Sequence, residues 1–295
     1  MRDSFASTHP LVNLAFFVSA ITLTMFIMQP VCLGITILCS AVYAVFTGGK
    51  KTVLFSLRFL LPTALLIMLI NPVVNHRGVT ILRYLPWGNP LTLESIAYGV
   101  ASAVLLCAVV LWFSSFNKVM TSDKLVYLFG RLAPALSLVL SMSLRFIPRF
   151  IAQFREVRLA QRKIHNSGKK SLTSRLKGAL RVLSIMISRA MENAVETSDS
   201  MKSRGYGLKG RTPYTLFRFH RSDAALLGAI ISETLVLVFL ISFGKMKFRY
   251  YPMIKGSLTD VFSILFYIVY ALLLLTPIII NIGEGIRWKR LKSKI

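Results

Sequence analysis

Acidic residues are scarce in this chain of 295 residues: 11 Asp and Glu stand against 36 Lys and Arg, for a net charge of +25. Charge of either sign is sparse too, at 16% against the roughly 25% of a soluble domain, while 55% of residues are apolar. Disorder is excluded, because a chain this apolar buries ample surface. The three cysteines (Cys32, Cys39, Cys107) are scattered through apolar runs, which excludes a disulfide framework and any CxxC metal spacing. Four histidines (His9, His76, His165, His220) lie far apart, with no HExxH pattern. No GxxxxGK loop is present to cradle a phosphate, and no GxSxG elbow to present a nucleophile.

What the chain has instead is length without charge. Ser4 to Gly49 contains no Asp, Glu, Lys or Arg. As one helix those residues would reach about 69 Å, twice the hydrocarbon thickness of a bilayer, so the run holds two passes. Gln29-Pro30 is the natural break, since proline donates no N–H and disfavours helix in the residue before it. The predicted spans are Leu11–Met28, Val31–Thr47, Thr52–Val74, Ser95–Phe116, Asp223–Gly244 and Leu258–Ile282. Gly48-Gly49-Lys50-Lys51 is expected to end the second. Asn71-Pro72 marks the far end of the third. Residues 75–94, with Tyr84 and Trp87, read as an interfacial loop with aromatic anchors. No basic start or cleavage site points to a signal peptide.

Leu132–Leu144 is uncharged but short, with Pro134 inside, and reads as re-entrant or interfacial. With six spans, the N-terminus, residues 48–51, the whole of 117–221 and the C-terminus share one side. That side carries 29 of the 36 Lys and Arg, so the positive-inside bias makes it the cytoplasm. The expected fold is an all-α integral membrane protein of about six transmembrane helices plus a cytoplasmic amphipathic hairpin. Its parts are four N-terminal spans (1–116), a basic cytoplasmic segment (117–221), and two C-terminal spans with a basic tail (222–295). The outer patch Lys245-Met246-Lys247-Phe248-Arg249 runs against the charge bias.

The basic segment carries the partner-facing surface. In 145–166, Phe146, Phe150, Phe154, Val157 and Ile164 share one helical face, with Pro148 expected in the first turn. Asn166-Ser167-Gly168-Lys169-Lys170 breaks the pattern, and Ser171 is a candidate N-cap. A longer helix follows to Ser203, with Leu172, Leu176, Ala179, Leu180, Leu183, Ile187, Met191, Ala194 and Met201 on its apolar face. Gly205 is a natural stop. Part of the basic face suits anionic lipid headgroups. Nucleic acid is not an expected partner, because the phenylalanines follow the packing face and no recognition motif accompanies the charge.

Arg145-Phe146-Ile147-Pro148, then Ala160-Gln161-Arg162, then Met201-Lys202-Ser203-Arg204-Gly205-Tyr206 resemble the transmembrane T component of energy-coupling factor (ECF) importers. Asn71-Pro72, the lead Pro90-Leu91-Thr92-Leu93-Glu94 and the tail Gly210-Arg211-Thr212-Pro213-Tyr214 fit the same pattern. The resemblance implies that Ala160, Gln161, Arg162, Ser203, Arg204 and Gly205 couple to two ABC ATPase subunits. It further implies that Leu176, Leu180, Leu183, Ile187 and Met191 face a small membrane substrate-binding S component, for uptake of a vitamin or metal ion. The chain itself would bind no cofactor and catalyse nothing; ATP is used by the partner ATPases. It would sit in a prokaryotic plasma membrane with both termini cytoplasmic. One departure stands out. The arginine expected in the first motif aligns with Ile164, leaving Arg162 or Lys163 to take its place.

Such a role has a physical basis. An Arg fork binds a carboxylate bidentately and stays charged, and a Gly after it lets the backbone turn. Arg204 has a plainer alternative, a helix-end cation favoured by the macrodipole. Glu233 is expected to be structural, near the cytoplasmic half and paired with a basic loop residue. Two other classes compete: a stand-alone secondary carrier, which needs repeats or broken charged helices, and a membrane-embedded enzyme, which needs acid or His clusters. Neither set of features is evident.

Overall fold

A computed structural model describes residues 3–75, 77–84, 90–164, 172–206, 208, 217–242, 248–256 and 260–292. Several expected features fall outside the described residues: His76, Trp87, His165, the break at 166–170, Ser171, the tail at 210–214 and residues 245–247 of the outer patch. The chain forms two compact units, Met1–Lys124 with Phe217–Ile295, and Leu125–Leu216.

In the first unit, a 3-10 turn at Phe5–Ser7 leads to α1 (Pro10–Phe26) and α2 (Pro30–Phe55). A π-helical turn at Ser56–Leu60 joins α2 to α3 (Leu61–Val74), and α4 (Leu93–Val119) follows a short hairpin. That hairpin pairs β1 (Ile81–Tyr84) with β2 (Pro90–Thr92) antiparallel, so the expected interfacial loop contains sheet. Near the C-terminus stand α8 (Arg221–Ser242) and α9 (Val261–Lys292). α2 and α3 both pack along α4, α1 lies against α4 and α8, and α9 against α2 and α8.

The helix starts follow local chemistry. Pro10 and Pro30 open their helices, where a missing N–H costs nothing. His9 caps α1 by accepting from the Leu11 N–H at 3.3 Å. Thr92 caps α4 by accepting from the Ser95 N–H at 3.4 Å. The expected break after span two takes another form. The helix does not open into a loop at residues 48–51; only Gly49 leaves helical geometry, at φ 55° and ψ −146°. That conformation is open essentially to glycine alone. Gly48 is needed for a different reason. A Cβ there would fall 1.7 Å from Thr52 Oγ1 and 1.9 Å from Lys118 Nζ, the pair whose 2.7 Å hydrogen bond ties the kink to α4.

The core is aromatic. Phe5, Phe16, Phe17, Tyr43 and Trp112 are fully buried. Phe16 meets Phe5 edge to face at 5.3 Å and Trp112 at 5.6 Å. Polar links run through this apolar mass, each with a partner, as a low-dielectric interior demands. The Asn281 side chain accepts from the Ser4 N–H at 2.7 Å and donates to Asp3 at 2.8 Å. Tyr43 donates to the same carboxylate at 3.0 Å. The Tyr270 hydroxyl meets Thr36 at 2.7 Å.

Among the described residues, four stretches are long and apolar enough to cross a membrane: Pro30–Val74, Leu93–Val119, Arg221–Ser242 and Val261–Lys292. The first, 45 residues long, is bent at Gly49. α1, at 17 residues, falls short of the usual length of about 20. The chain is an all-α membrane protein.

Glu233 departs from expectation. Its Oε2 is buried with no hydrogen-bond partner, and no basic residue pairs with it among the described residues. It lies in the middle of α8.

Candidate functional site: the basic helical hairpin

α5 (Ser122–Leu132) begins at the edge of the first unit. There Lys124 is buried and donates to the carbonyls of Ala6 and Val119. Burial holds its ammonium below the ordinary lysine pKa, while the Asp3 carboxylate pulls the other way. Nothing in the sequence marks this lysine: it is one cation among the 21 Lys and Arg of 117–221.

In the second unit, α6 runs unbroken over Pro134–Ile164. The segment expected to be re-entrant (132–144) and the amphipathic helix expected from 145 are thus one helix. Its start is set at Pro134, directly after Ala133, and α5 folds back on it. Ser137 donates to the Val126 carbonyl at 3.0 Å, and a Cβ on Gly130 would lie 2.9 Å from Ser137 Oγ. Pro148 is accordingly inside the helix, not in its first turn. It removes one backbone hydrogen bond without ending the helix.

α7 (Leu172–Ser203) packs along α6. The more buried positions of α6 include Met142, Phe146, Phe150, Gln153, Val157 and Gln161; those of α7 include Val182, Met186, Ala190, Asn193, Thr197 and Met201. Both series step by four, four, three, four and four, which keeps one face of a 3.6-residue helix inward. Val157 and Val182 are 5% and 6% exposed. Met142 and Phe146 meet Thr197 and Met201 around a cavity of about 400 Å³, so the early part of α6 lies beside the late part of α7 and the pair is antiparallel. Phe154, expected on the packed face, is 44% exposed.

The apolar stripe singled out in α7 is not this seam. Leu176, Leu180, Leu183, Ile187 and Met191 are between 52% and 67% exposed. Leu172 and Val195 extend the stripe at either end and are exposed as well. α7 thus carries two apolar faces about 100° apart, one against α6 and one uncovered.

α7 ends where expected and by an identifiable device. Gly205 adopts φ 72°, its N–H donates to the Lys202 carbonyl at 2.9 Å, and the Tyr206 N–H donates to the Met201 carbonyl at 3.1 Å. This is a Schellman stop with Gly205 in the left-handed position. Met201 and Tyr206, the two positions whose side chains usually meet across such a stop, both line the cavity. Arg204 is therefore the last residue before the turn and is exposed, beside an exposed Ser203. Ala160, Gln161 and Arg162 lie in the final turn of α6; Ala160 and Arg162 are exposed, and Gln161 is part of the seam. The antiparallel pairing places Ser203 opposite about residue 140 of α6. The two motif ends are not brought together but stand roughly 30 Å apart, at opposite ends of the hairpin.

Comparison with known proteins adds to this geometry. The energy-coupling factor transporter transmembrane protein EcfT of Bacillus selenitireducens is 34% identical over 98 residues, covering 32% of this chain and 37% of that protein. The protein of the same name from Lacticaseibacillus paracasei is 31% identical over 107 residues, 36% of this chain and 40% of the relative. That of Lactococcus lactis subsp. cremoris is 31% identical over 105 residues, at 35% and 40%. The matched stretch thus spans well under half the length of each relative. The model of the family described as "CbiQ: Cobalt transport protein" matches residues 3–214, a range that runs from the first helices through the whole hairpin. With most of its length inside that match, this chain belongs to the CbiQ cobalt transport protein family.

Proposed function

We propose that the chain is the transmembrane coupling subunit of an ECF-type ABC importer. It transmits ATPase movements through the α6–α7 hairpin to a substrate-binding membrane subunit and performs no chemistry of its own. The observation that carries this reading is the separation of the two motif ends. A single hairpin offers one basic terminus near Arg162 and another at Arg204, about 30 Å apart along the helix axis. Two ends that far apart suit two ATPase subunits, one end to each. A rigid antiparallel seam between them lets displacement at one end reach the other.

The uncovered stripe supports the second half of the reading. Leu176, Leu180, Leu183, Ile187 and Met191 are exposed in this chain. Each large aliphatic side chain left in water forgoes roughly 1.5–3 kcal/mol of burial. A small membrane subunit laid on this face recovers that free energy, and an aliphatic contact without directional hydrogen bonds lets it slide or tilt. On this reading α1, α2, α3, α4, α8 and α9 are six spans, and the basic segment with both termini lies in the cytoplasm of a prokaryotic cell. ATP is consumed by the partner ATPases.

The test is purification of the tagged chain from native membranes, with uptake assayed in parallel. Two ATPase subunits are expected to co-purify. Arg204→Glu is expected to lose them and abolish uptake while the chain still inserts, because losing one partner of a buried charge pair costs about 2–5 kcal/mol and reversal costs at least as much. Arg175→Glu, an exposed charge in the first turn of α7, is expected to change little. Arg162→Glu falls between them if Arg162 stands in for the arginine replaced by Ile164. Equal behaviour of the Arg204 and Arg175 variants would falsify the coupling role.

A further inference from the structure

Alongside the last turns of α3 lies an open groove of about 730 Å³. Its wall is aliphatic at one end, where Leu66, Ile67 and Ile70 line it, and polar at the other, where Asn75 and Arg77 do. The lining residues fall in two neighbouring rows of the helix, Leu66–Ile70–Val74 and Ile67–Asn71–Asn75. The helix stops at Asn75, which turns to φ −107° and ψ 105° and carries the chain out to Arg77. From Leu66 to Asn75 the axis advances about 14 Å, close to half of a hydrocarbon layer about 30 Å thick. The groove thus has the depth of one leaflet, with a cation at its polar end.

Among the described residues, its aliphatic wall is left open. Leu66, Ile70 and Val74 are at least half exposed. Asn71 closes the floor by donating to Ser102 on α4 at 3.5 Å. Arg77 is exposed and makes no ion pair with a described residue. The acid closest in the chain's path, Glu94, is turned away from solvent: it is 3% exposed and accepts from the Thr80 N–H at 3.3 and 3.4 Å. Gly78 closes over it, so tightly that a Cβ there would meet its carboxylate at 2.6 Å.

We propose that this groove holds one anionic phospholipid, with an acyl chain along Leu66, Ile67, Ile70 and Val74 and its phosphate at Arg77. The polarity gradient selects the ligand. An aliphatic trough alone fits any lipid tail or a protein helix. A single guanidinium at leaflet depth, without an ion-pair partner among the described residues, fits a phosphodiester, and a choline headgroup would bring a second cation against it.

The experiment is native mass spectrometry of the full-length purified chain after addition of dioleoyl phosphatidylglycerol or dioleoyl phosphatidylcholine. One phosphatidylglycerol is expected to stay bound. Arg77→Gln is expected to weaken its retention about fivefold, the usual effect of one cation near an anionic headgroup surface. Ile70→Trp, which fills the trough and spares the cation, is expected to weaken retention of both lipids. Arg83→Gln, exposed on β1 and outside the groove, is expected to change neither. All three positions are at the surface, and matching melting temperatures in detergent confirm that the variants fold. Equal retention of the two lipids by the unaltered chain overturns the proposal, as does equal loss in the Arg77 and Arg83 variants. Displacement of the bound lipid by glycerol phosphate at equal concentration overturns it as well, because it shows a headgroup site with no role for the trough.

Discussion

In the unit built from α1–α4, α8 and α9, a cluster of large aromatic side chains is hidden. Trp112, Tyr43, Phe16 and Phe17 are fully buried; Phe16, Phe17 and Trp112 meet edge to face, and Tyr43 lies tilted against Phe17 and Trp112. In the α6–α7 hairpin, the leucine-rich stripe of α7 faces outward, and the face α7 turns to α6 mixes apolar residues with polar ones, Asn193 and Thr197 among them. One region has spent its best packing groups on itself. The other has kept them uncovered and holds together along a single line of contact. The contrast teaches where to test for the proposed partner: the outward-facing leucines of the basic hairpin.

That contrast can be broken at three places. The largest expected effect is Trp112→Ala. Removing a fully buried indole that meets Phe16, Phe17 and Tyr43 is expected to cost about 3–5 kcal/mol, read as a loss of denaturant resistance in detergent. A cost below about 1 kcal/mol, the scale of an ordinary surface change, means the aromatic cluster does not hold the membrane unit. Next comes Gly48→Ala. The added methyl displaces the Lys118–Thr52 hydrogen bond, and overpacking of this kind costs about 1–3 kcal/mol. A melting temperature equal to that of the unaltered chain refutes the close approach at the kink. The smallest effect on the isolated chain is expected for Leu180→Asp and Leu183→Asp, within about 0.5 kcal/mol for exposed positions. The same two changes are expected to prevent assembly with the membrane partner, because a charge would be buried unpaired. Strong destabilisation of the chain alone would place these leucines in an internal core and erase the contrast.

Much of this architecture is legible in the sequence. The uncharged runs give the apolar helices. Gln29-Pro30 gives the break between α1 and α2. Gly205 gives the stop of α7, because few residues other than glycine accept a positive φ. Three features were not legible, each for a physical reason. α6 begins at Pro134 and not at residue 145, because hydropathy changes within a helix whose backbone hydrogen bonds do not. The seam face of α7 was hidden because hydropathy picks the stripe richest in leucine, and in this hairpin that stripe is the one left exposed. The bend at Gly49 reads in sequence as an end, since two glycines and two lysines resemble a loop; close packing of Gly48 on Lys118 keeps the chain helical. In the hairpin, the motif residues were visible one by one, but their separation was not. It follows only from antiparallel pairing.

The seam also has a consequence for how such a chain can change over time. In an antiparallel pair, each partner is found by counting outward from the connecting segment in both directions. Extra residues in that segment leave every pair intact. One residue inserted within α7 rotates everything beyond it by about 100°, swings Met201 and Thr197 off α6, and turns Arg204 to a new azimuth. Length variation among relatives is therefore expected to collect between residues 164 and 172, while the spacing from Val182 to Gly205 stays constant.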